Sequence, residues 1–322
     1  VYNANDRARN DFAMGYGWRT PYHQLVYSWK ASDGNTSDTD YYIWEDEDGT
    51  RHYFKNTDGV YKDESGVDMT LTTTGSGPEK YCIKDKKDNQ SYFDTEGRLT
   101  KIENNQSEKS SIVINYTTPD SHCISRITDG AGRVYQFEYT NGVVHFVHYQ
   151  GKTNADIRSL RYDYTSDGDL GAITYDDGRT VRYEYNQHML TKAENFDGKG
   201  ILFTYSSYES GTPNRIYELK GYDGSSNYTM DYDYGVGFTR VTDSQGNTLQ
   251  YQFNDSGNTL SIQDSTGKAV YAKYAQDKSK TAKANQMVLS SKLQTTPTNL
   301  VLNSSFEWND GTWSGGADLG GT

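Results

Sequence analysis

Apolar and polar residues alternate over short stretches along most of the chain. Around Gly132 the sequence reads DGAGRVYQFEY, and around Gly178 it reads YDDGRTVRYEY. Related stretches surround Gly198 (FDGKGILFTY) and Gly246 (DSQGNTLQYQF). An alternation with a period of two is typical of a β-strand that buries one face. The pattern therefore predicts an all-β chain of short strands separated by turns.

A pair of aromatic residues follows each of these glycines, five and seven positions later. Residues two apart lie on the same side of a pleated strand, while the residue between them points to the other side. Including one degenerate unit, the pairs are Phe137 and Tyr139, Tyr162 and Tyr164, Tyr183 and Tyr185, Phe203 and Tyr205, and Tyr251 and Phe253. These residues are predicted to form an aromatic face of the sheet.

Glycines that follow acidic or amide residues mark the turns between the strands. Glycine tolerates the positive φ of a tight hairpin turn, and Asp or Asn can accept hydrogen bonds from nearby backbone amides. The glycines predicted at turns are Gly49, Gly97, Gly132, Gly178, Gly198, Gly246, Gly257 and Gly267. Each repeat unit is therefore predicted to be a strand, a turn and a second strand, which makes antiparallel hairpins.

Composition agrees with this interpretation and limits the partners. The 322 residues include 29 Tyr, 10 Phe and 31 Gly but only 5 Pro. Tyr suits a pleated surface, because its ring packs against neighbours while its hydroxyl reaches solvent or backbone. The net charge of −12 argues against nucleic acid as a partner, since binding to phosphates depends on Lys and Arg.

The chain carries no recognisable catalytic motif, neither GxSxG nor HExxH nor a P-loop. Cys82 and Cys123 cannot build a disulfide framework or a Cys-based metal cluster, although they leave one bridge open. His145 and His148 are three residues apart on a predicted strand, so they face opposite sides and are poorly placed to chelate one ion. The sequence predicts a non-enzymatic protein with no cofactor and no metal, and it leaves weak calcium binding open.

A DxxGR stretch followed by aromatics and then a YDxxG-like tip resembles the YD repeat of RHS, wall-associated and teneurin proteins. The resemblance covers roughly residues 14 to 275, and AMGYGWRTPYHQ resembles the GxGW opening of such arrays. It implies a continuous β-strip that winds into a spiral and, with enough repeats, closes into a hollow shell around a toxic or unfolded cargo. This chain would be an open, curved segment of such a shell.

The repeat pattern stops near residue 278. We predict a β-strip over residues 1–277, a polar linker over 278–298, and the start of a β-sandwich module over 299–322. The last segment resembles the opening strand of modules that often bind carbohydrate. Trp308 and Trp313 are candidates for stacking on a sugar ring, and the alternative is that they belong to the core or edge of an incomplete sandwich.

Two functions remain open from the sequence. The first is a structural scaffold or shell-wall segment of a secreted or cell-surface protein, from a Gram-positive bacterium, that encloses and delivers a toxin in contact-dependent competition. Its partners would be the rest of a larger chain or the enclosed cargo. The alternative is an adhesin that binds cell-wall or host glycan, or that associates end to end into a fibre. A shell predicts packed aromatics on one face, whereas an adhesin predicts an exposed aromatic groove.

Overall fold

The computed structural model describes residues 1–28, 41–57, 60–63, 68–73, 75–105, 111–151, 157–206, 215–223, 227–254, 259–276 and 284–293. Within these ranges the helical elements are two short 3₁₀ turns, Ala4–Asp6 and Gly77–Glu79. All other regular structure is β-strand, and every pairing between strands is antiparallel. The prediction of an all-β fold of antiparallel hairpins is confirmed. No helix in this described part of the chain has the length and apolarity needed to cross a membrane.

The chain divides into two compact units, Val1–Gly200 and Ile201–Thr322. The strands of the first unit are β1 (Leu25–Ser28), β2 (Tyr41–Glu45), β3 (Arg51–Thr57), β4 (Val60–Asp63), β5 (Thr70–Thr72), β6 (Tyr81–Lys84), β7 (Gln90–Phe93), β8 (Leu99–Glu103), β9 (Ile112–Tyr116), β10 (Ile124–Thr128), β11 (Val134–Thr140), β12 (Val143–Gln150), β13 (Ile157–Tyr164), β14 (Leu170–Thr174), β15 (Thr180–Asn186) and β16 (Met189–Glu194). Each pairs with the next strand along the chain.

The second unit continues the same succession of hairpins. Its strands are β17 (Gly200–Tyr205), β18 (Ile216–Tyr222), β19 (Asn227–Gly235), β20 (Phe238–Asp243), β21 (Thr248–Phe253), β22 (Thr259–Asp264), β23 (Lys268–Gln276) and β24 (Ala284–Leu293), and Gly200 of β17 belongs to the first unit. From β18 onward each strand pairs with the next. The division into a strip, a linker and a sandwich stays a prediction, and β24 lies inside the segment 278–298 predicted as the linker. Trp308 and Trp313 lie outside the described residues.

A β-bulge recurs near the start of every second strand from β8 to β16. The register shifts in the pairs β7–β8, β9–β10, β11–β12, β13–β14 and β15–β16. The extra residues are Thr100, Ser125, His145, Gly171 and Thr191. An inserted residue reverses the alternation of side chains and increases the local twist. The residue before each bulge is thereby turned to the same face as the aromatic pairs.

These turned residues form the centre of the first unit's core. Leu99, Ile124, Val144 and Leu170 are all fully buried. They pack in one cluster with larger buried side chains, including Phe54, Leu71, Phe93 and Phe137. Burying each such side chain contributes about 1.5 to 3 kcal/mol, so the bulges place four residues that contribute directly to the stability of the unit.

The predicted turn glycines lie in three-residue hairpin loops. At Asp94, the backbone N–H of Gly97 donates to the Asp94 carbonyl (3.0 Å), and the Asp94 side chain accepts from the N–H groups of Glu96 (3.0 Å) and Arg98 (2.9 Å). This is a type I turn followed by a bulge residue with positive φ. The φ angles lie between +77° and +89° for Gly49, Gly97, Gly132, Gly178, Gly198, Gly246 and Gly267. Gly257 lies outside the described residues.

Two of these glycines make a matched pair for mutation. Gly97 and Gly132 both have a φ of +78°. A Cβ on Gly132 meets nothing within 4 Å, whereas a Cβ on Gly97 lies 1.8 Å from the carbonyl oxygen of Val26. Gly132→Ala is expected to cost about 1 to 2 kcal/mol of unfolding free energy from its φ alone. Gly97→Ala is expected to cost about 2 kcal/mol more, because β1 must move. Urea unfolding checks this difference, and equal losses would contradict it.

Candidate functional site on the tyrosine rim

Five strands of the first unit begin along one edge of the sheet, which we call the tyrosine rim. It is marked by Leu99, Ile124, Val144, Leu170 and Leu190, near the starts of β8, β10, β12, β14 and β16. The carbonyl groups of the first four lie beyond the last register pair with the following strand. A buried carbonyl at such a position needs another hydrogen-bond donor.

A tyrosine hydroxyl from the following strand supplies that donor in each case. The bonds run from Tyr116 to Leu99 O (2.8 Å), from Tyr139 to Ile124 O (2.8 Å), from Tyr164 to Val144 O (2.8 Å), and from Tyr185 to Leu170 O (2.7 Å). Tyr234 makes the same bond to Ile216 O (2.6 Å) in the second unit. The side chain thus completes the backbone ladder at the point where the strands separate.

The predicted aromatic pairs divide into two roles. The first members, Phe137 and Tyr162, are each 8% exposed and pack in the core. The second members of the pairs in the first unit donate to the rim carbonyls. Sequence reasoning treated both positions alike and did not single out Tyr116. The signal was available, because Tyr fills the second position in FEY, YDY and YEY while the first position varies.

The remaining predicted aromatics lie on strands of the two units. Tyr183 packs against Trp18 with its ring tilted by 58° and the ring centroids 4.9 Å apart. Phe203, Tyr205, Tyr251 and Phe253 are half-buried in the second unit. Burial raises the pKa of Tyr162 to about 12, and it also raises the pKa of each of the four rim tyrosines of the first unit. These side chains therefore keep their protons in the folded chain at pH values where an exposed tyrosine loses its proton.

Residues 1–24, which we call the strap, lie across the tyrosine rim. The strap's Ala13 carbonyl accepts from Val144 N (2.8 Å), and its Gln24 carbonyl accepts from Leu99 N (3.3 Å). In β1, Val26 N donates to the carbonyl of Gly97 (2.7 Å). The edge of β1 that faces away from β2 is therefore bonded to the β7–β8 hairpin. The irregular strap thus forms hydrogen bonds with backbone groups of the rim that would otherwise need a further strand as their partner.

The GxGW sequence of the strap has a steric explanation. A Cβ on Gly15 would lie 2.7 Å from Leu170 N, and a Cβ on Gly17 would lie 2.8 Å from the Tyr2 ring. Both glycines have positive φ angles, +93° and +75°. Trp18 then donates from Nε1 to the hydroxyl of Tyr185 (2.7 Å). The glycines let the backbone approach the rim closely enough for the indole to reach a rim tyrosine.

The strap also contacts the β15–β16 turn, through Tyr2 and Tyr16. The Tyr2 hydroxyl donates to the His188 carbonyl (2.6 Å) and accepts from Leu190 N (3.1 Å). The Tyr16 ring lies against the His188 imidazole, with centroids 4.1 Å apart, and His188 Nδ1 is 2.9 Å from the buried Asp169. His188 has a φ of +63°, which is unusual for a residue with a side chain. The contacts with the strap hold this turn in place.

A buried group of charges fixes the other end of the strap. Arg19 is 2% exposed and donates to Asp6 (2.7 Å), and Glu45 of β2 is 1% exposed and accepts from Arg9 (3.1 Å) and from the Tyr27 hydroxyl (3.1 Å). Burial by itself would raise the pKa of Glu45, but Arg9 and Arg19 outweigh it and hold that pKa below its usual value. The strap is thus bound through paired charges as well as apolar contacts.

Removing a rim hydroxyl is expected to destabilise the chain without disturbing its packing. Tyr139→Phe leaves the Ile124 carbonyl buried without its donor, which costs about 1 to 3 kcal/mol of unfolding free energy. The same loss is expected for Tyr164→Phe. The control is Tyr228→Phe, since Tyr228 is 54% exposed and makes no rim bond. Chemical denaturation of the three variants checks this, and a loss at Tyr228 equal to that at Tyr139 would contradict the rim assignment.

The other residues considered from the sequence form no metal-binding cluster within the ranges that the structure describes. His148 contacts Ser159 Oγ (2.8 Å) and Glu138 (3.2 Å), while His145 is the bulge residue of β12. Cys82 and Cys123 are both free thiols. Among the residues that the structure describes, no group of three or more His, Cys, Asp or Glu side chains is placed to hold a metal ion.

Comparison with known proteins finds related sequences in Bacillus. The chain is 28% identical over 276 residues to a tRNA(Glu)-specific nuclease WapA of Bacillus subtilis subsp. natto, covering 82% of this chain and 10% of that protein. It is 28% identical over 270 residues to the tRNA nuclease WapA of Bacillus subtilis strain 168, with the same coverage. The WapA of Bacillus spizizenii is 27% identical over 295 residues. The chain spans about a tenth of the length of these relatives, so the activity of the whole proteins is not assigned to it.

Solved toxin structures give a weaker likeness. The crystal structure of TcdB2-TccC3 without its hypervariable C-terminal region matches 77% of this chain and 16% of that chain, at 10% identity and a TM-score of 0.41. The Tc holotoxin pore of Photorhabdus luminescens matches 72% of this chain at a TM-score of 0.36. Neither score carries an argument about function, and no protein-family model matches the chain. The sequence comparisons show that the chain is similar to part of the WapA nucleases, and they support its resemblance to RHS/YD-repeat proteins in general.

Proposed function

We propose that this chain is a structural, non-enzymatic wall segment of a larger secreted or cell-surface YD-repeat protein that encloses a toxin. The observation that carries the proposal is the use of the repeat aromatics in building the sheet. The hydroxyl groups of Tyr139, Tyr164 and Tyr185 donate hydrogen bonds to rim carbonyls. Phe137 and Tyr162 are buried in the core. Side chains committed in this way build a wall and are not free to bind a ligand.

A second feature supports membership in a larger assembly. In the second unit, residues on one face of β18–β23 remain open to solvent, and the registers place them together. They are Tyr217, Tyr228, Met230, Leu249 and Val270, each at least 42% exposed. Asp243 and Asp264 lie on the same face, opposite Met230 and Leu249, so the exposed apolar side chains alternate there with acidic ones. Exposed apolar side chains grouped in this way support a surface that another part of a larger structure covers. Delivery of the enclosed toxin in competition between cells would follow from this role.

The mass of the native polypeptide tests this proposal. Antibodies against this segment would be used on a denaturing gel of the source organism, with intact mass spectrometry of the captured protein. A species several times larger than 36.4 kDa is expected, with this segment inside it. A native product near 36.4 kDa would contradict the role of a shell wall, because the segment by itself is too short to enclose a cargo.

The adhesin alternative has one observation in its favour. At the β14–β15 and β16–β17 turns, Tyr175 is 41% exposed and Phe196 is 50% exposed, and the Arg179 guanidinium lies 4.7 Å from the Phe196 ring centroid. Exposed rings beside a cation suit a sugar ring, which stacks on aromatic faces. Binding to a glycan array that is lost in Tyr175→Ala and Phe196→Ala would support this role. Nucleic acid is not among the proposed partners, and that prediction still rests on the net charge.

A further inference from the structure

Two histidines lie beside the ring of Phe12, a buried aromatic residue of the strap. Phe12 is 4% exposed, and its ring centroid is 4.5 Å from that of His23 and 6.2 Å from that of His122. His23 belongs to the strap itself, whereas His122 lies in the loop between β9 and β10 on the rim. The two imidazoles therefore meet at the contact between the strap and the sheet.

The surroundings of this contact already carry positive charge. The Arg19 guanidinium lies 4.9 Å from the Phe12 ring centroid and faces His23, as do His122 and the Val1 amino group. His122 faces Arg9 and Arg98 and, of opposite sign, Asp11 and Asp94. Both carboxylates are paired, Asp11 with Arg9 (2.8 Å) and Asp94 with Arg98 (2.6 Å). A proton added to either histidine is therefore repelled by nearby cations, while the two nearest carboxylates are already paired with Arg9 and Arg98.

The geometry of His23 favours the neutral imidazole, although the Thr20 hydroxyl also lies 3.0 Å from its Nδ1. Its Nδ1 accepts from the backbone N–H of Thr20 (3.0 Å), so a proton at Nδ1 would break that bond. Its Nε2 is buried without a hydrogen-bond partner among the described residues. Burial first, and Arg19 and His122 next, lower the pKa of His23 to about 3. Burial also lowers the pKa of His122, against the opposing effect of Asp11.

We propose that the strap is an acid-released cover, which detaches from the tyrosine rim below about pH 6 while the sheet beneath it stays folded. A histidine whose pKa is depressed in the closed state stabilises that state above its free pKa, near 6.5, and this stability is lost as the pH falls. The residues exposed by release, Leu99, Ile124, Val144 and Leu170, do not titrate. This inference is independent of the proposed function.

Hydrogen exchange of the full chain tests the release directly. Mass spectrometry at pH 7.5, 6.0 and 5.0, expressed as protection factors, would follow peptides from residues 1–24 and from β6–β14. Protection of the strap is expected to fall about tenfold per pH unit for each histidine that takes up a proton, while the strands keep theirs. Simultaneous loss in both regions, or unchanged strap protection at pH 5.0, would overturn the proposal.

Variants of the two histidines separate this mechanism from general acid sensitivity. In His23→Asn, the amide oxygen can still accept from Thr20 N, but the side chain no longer titrates. His23→Asn and His122→Asn are each expected to weaken the pH dependence of strap protection by about one decade per unit. The control is His145→Asn, which lies on β12 and should behave as the wild type. Should His23→Asn fail to fold, His122→Asn alone decides, since wild-type pH dependence in that half-buried variant would refute the mechanism.

Discussion

Raising the pH from 10 to 12 is expected to unfold the first unit. Burial raises the pKa of Tyr116, Tyr139, Tyr162, Tyr164 and Tyr185 above the ordinary tyrosine value. The unfolded chain releases these protons near pH 10 and the folded chain retains them, so the stability they contribute is complete below pH 10 and falls above it. Each tyrosine lowers the unfolding free energy by about 1.4 kcal/mol per pH unit, or about 7 kcal/mol per unit for all five.

This loss is large compared with the stability of ordinary domains, which is about 5 to 15 kcal/mol. The part of the phenolate absorbance at 295 nm that belongs to these five tyrosines should therefore rise together with the loss of the far-ultraviolet circular dichroism signal, in one cooperative step. The Tyr139→Phe/Tyr164→Phe variant removes two of the protons, and its stability should decline with pH less steeply by about 3 kcal/mol per unit. Titration of all tyrosines near pH 10 in a chain that keeps its β signal would contradict the burial of the rim hydroxyls.

Arg98→Ala is expected to be the most damaging single substitution of a charged residue on the rim. The Arg98 guanidinium donates to Asp94 (2.6 and 2.8 Å) and to the carbonyls of Thr118 (3.0 Å) and Ser121 (2.6 Å). It also lies 4.4 Å from the Tyr116 ring centroid. Removing it leaves the buried Asp94 carboxylate with only the backbone N–H groups of Glu96 and Arg98 as donors, and it takes a donor from the carbonyls of Thr118 and Ser121. Breaking a buried pair in this way costs about 3 to 5 kcal/mol of unfolding free energy.

The chain provides a matched control for this substitution. Arg133 follows Gly132 as Arg98 follows Gly97, and it makes the same bond to the first residue of its turn, Asp129 (2.6 Å). Its side chain is 49% exposed, so water replaces the bond when it is lost. Arg133→Ala should hardly change the midpoint of urea unfolding. Equal effects of the two alanine variants would show that the turn, and not burial of the pair, sets the stability.

The repeat itself could be derived from the sequence, because its signals are local. The alternation of YQFEY and YEY, and the Asp or Asn before each glycine, predict strands and turns from spacing and turn chemistry alone. The antiparallel hairpins follow from the short connections between strands. The resemblance of residues 14 to 275 to YD repeats pointed to the same arrangement of hairpins.

The bulges and the strap could not be derived in this way. Thr100, Ser125 and His145 share no residue type, because a bulge needs only an extra residue and its site depends on the pairing of two strands. The strap is irregular, and its bonds to Leu99, Val144 and Leu190 join residues far apart in the chain. Sequence reasoning identified AMGYGW as an opening motif, but its steric purpose depends on Leu170 and Tyr185, which only the folded chain brings near.

The bulge at each hairpin also bears on how such a chain tolerates change in length. Successive rim residues Leu99, Ile124, Val144, Leu170 and Leu190 are separated by 25, 20, 26 and 20 positions. Each bulge determines again which side chains of its strand face the core, and a tyrosine hydroxyl bond fixes that arrangement. The structural effect of an insertion or deletion in one connection therefore stays confined to that hairpin. Whole hairpins can accordingly be duplicated or lost during evolution without disturbing the phase of those that follow, so the length of the array can vary while its cross-section is kept.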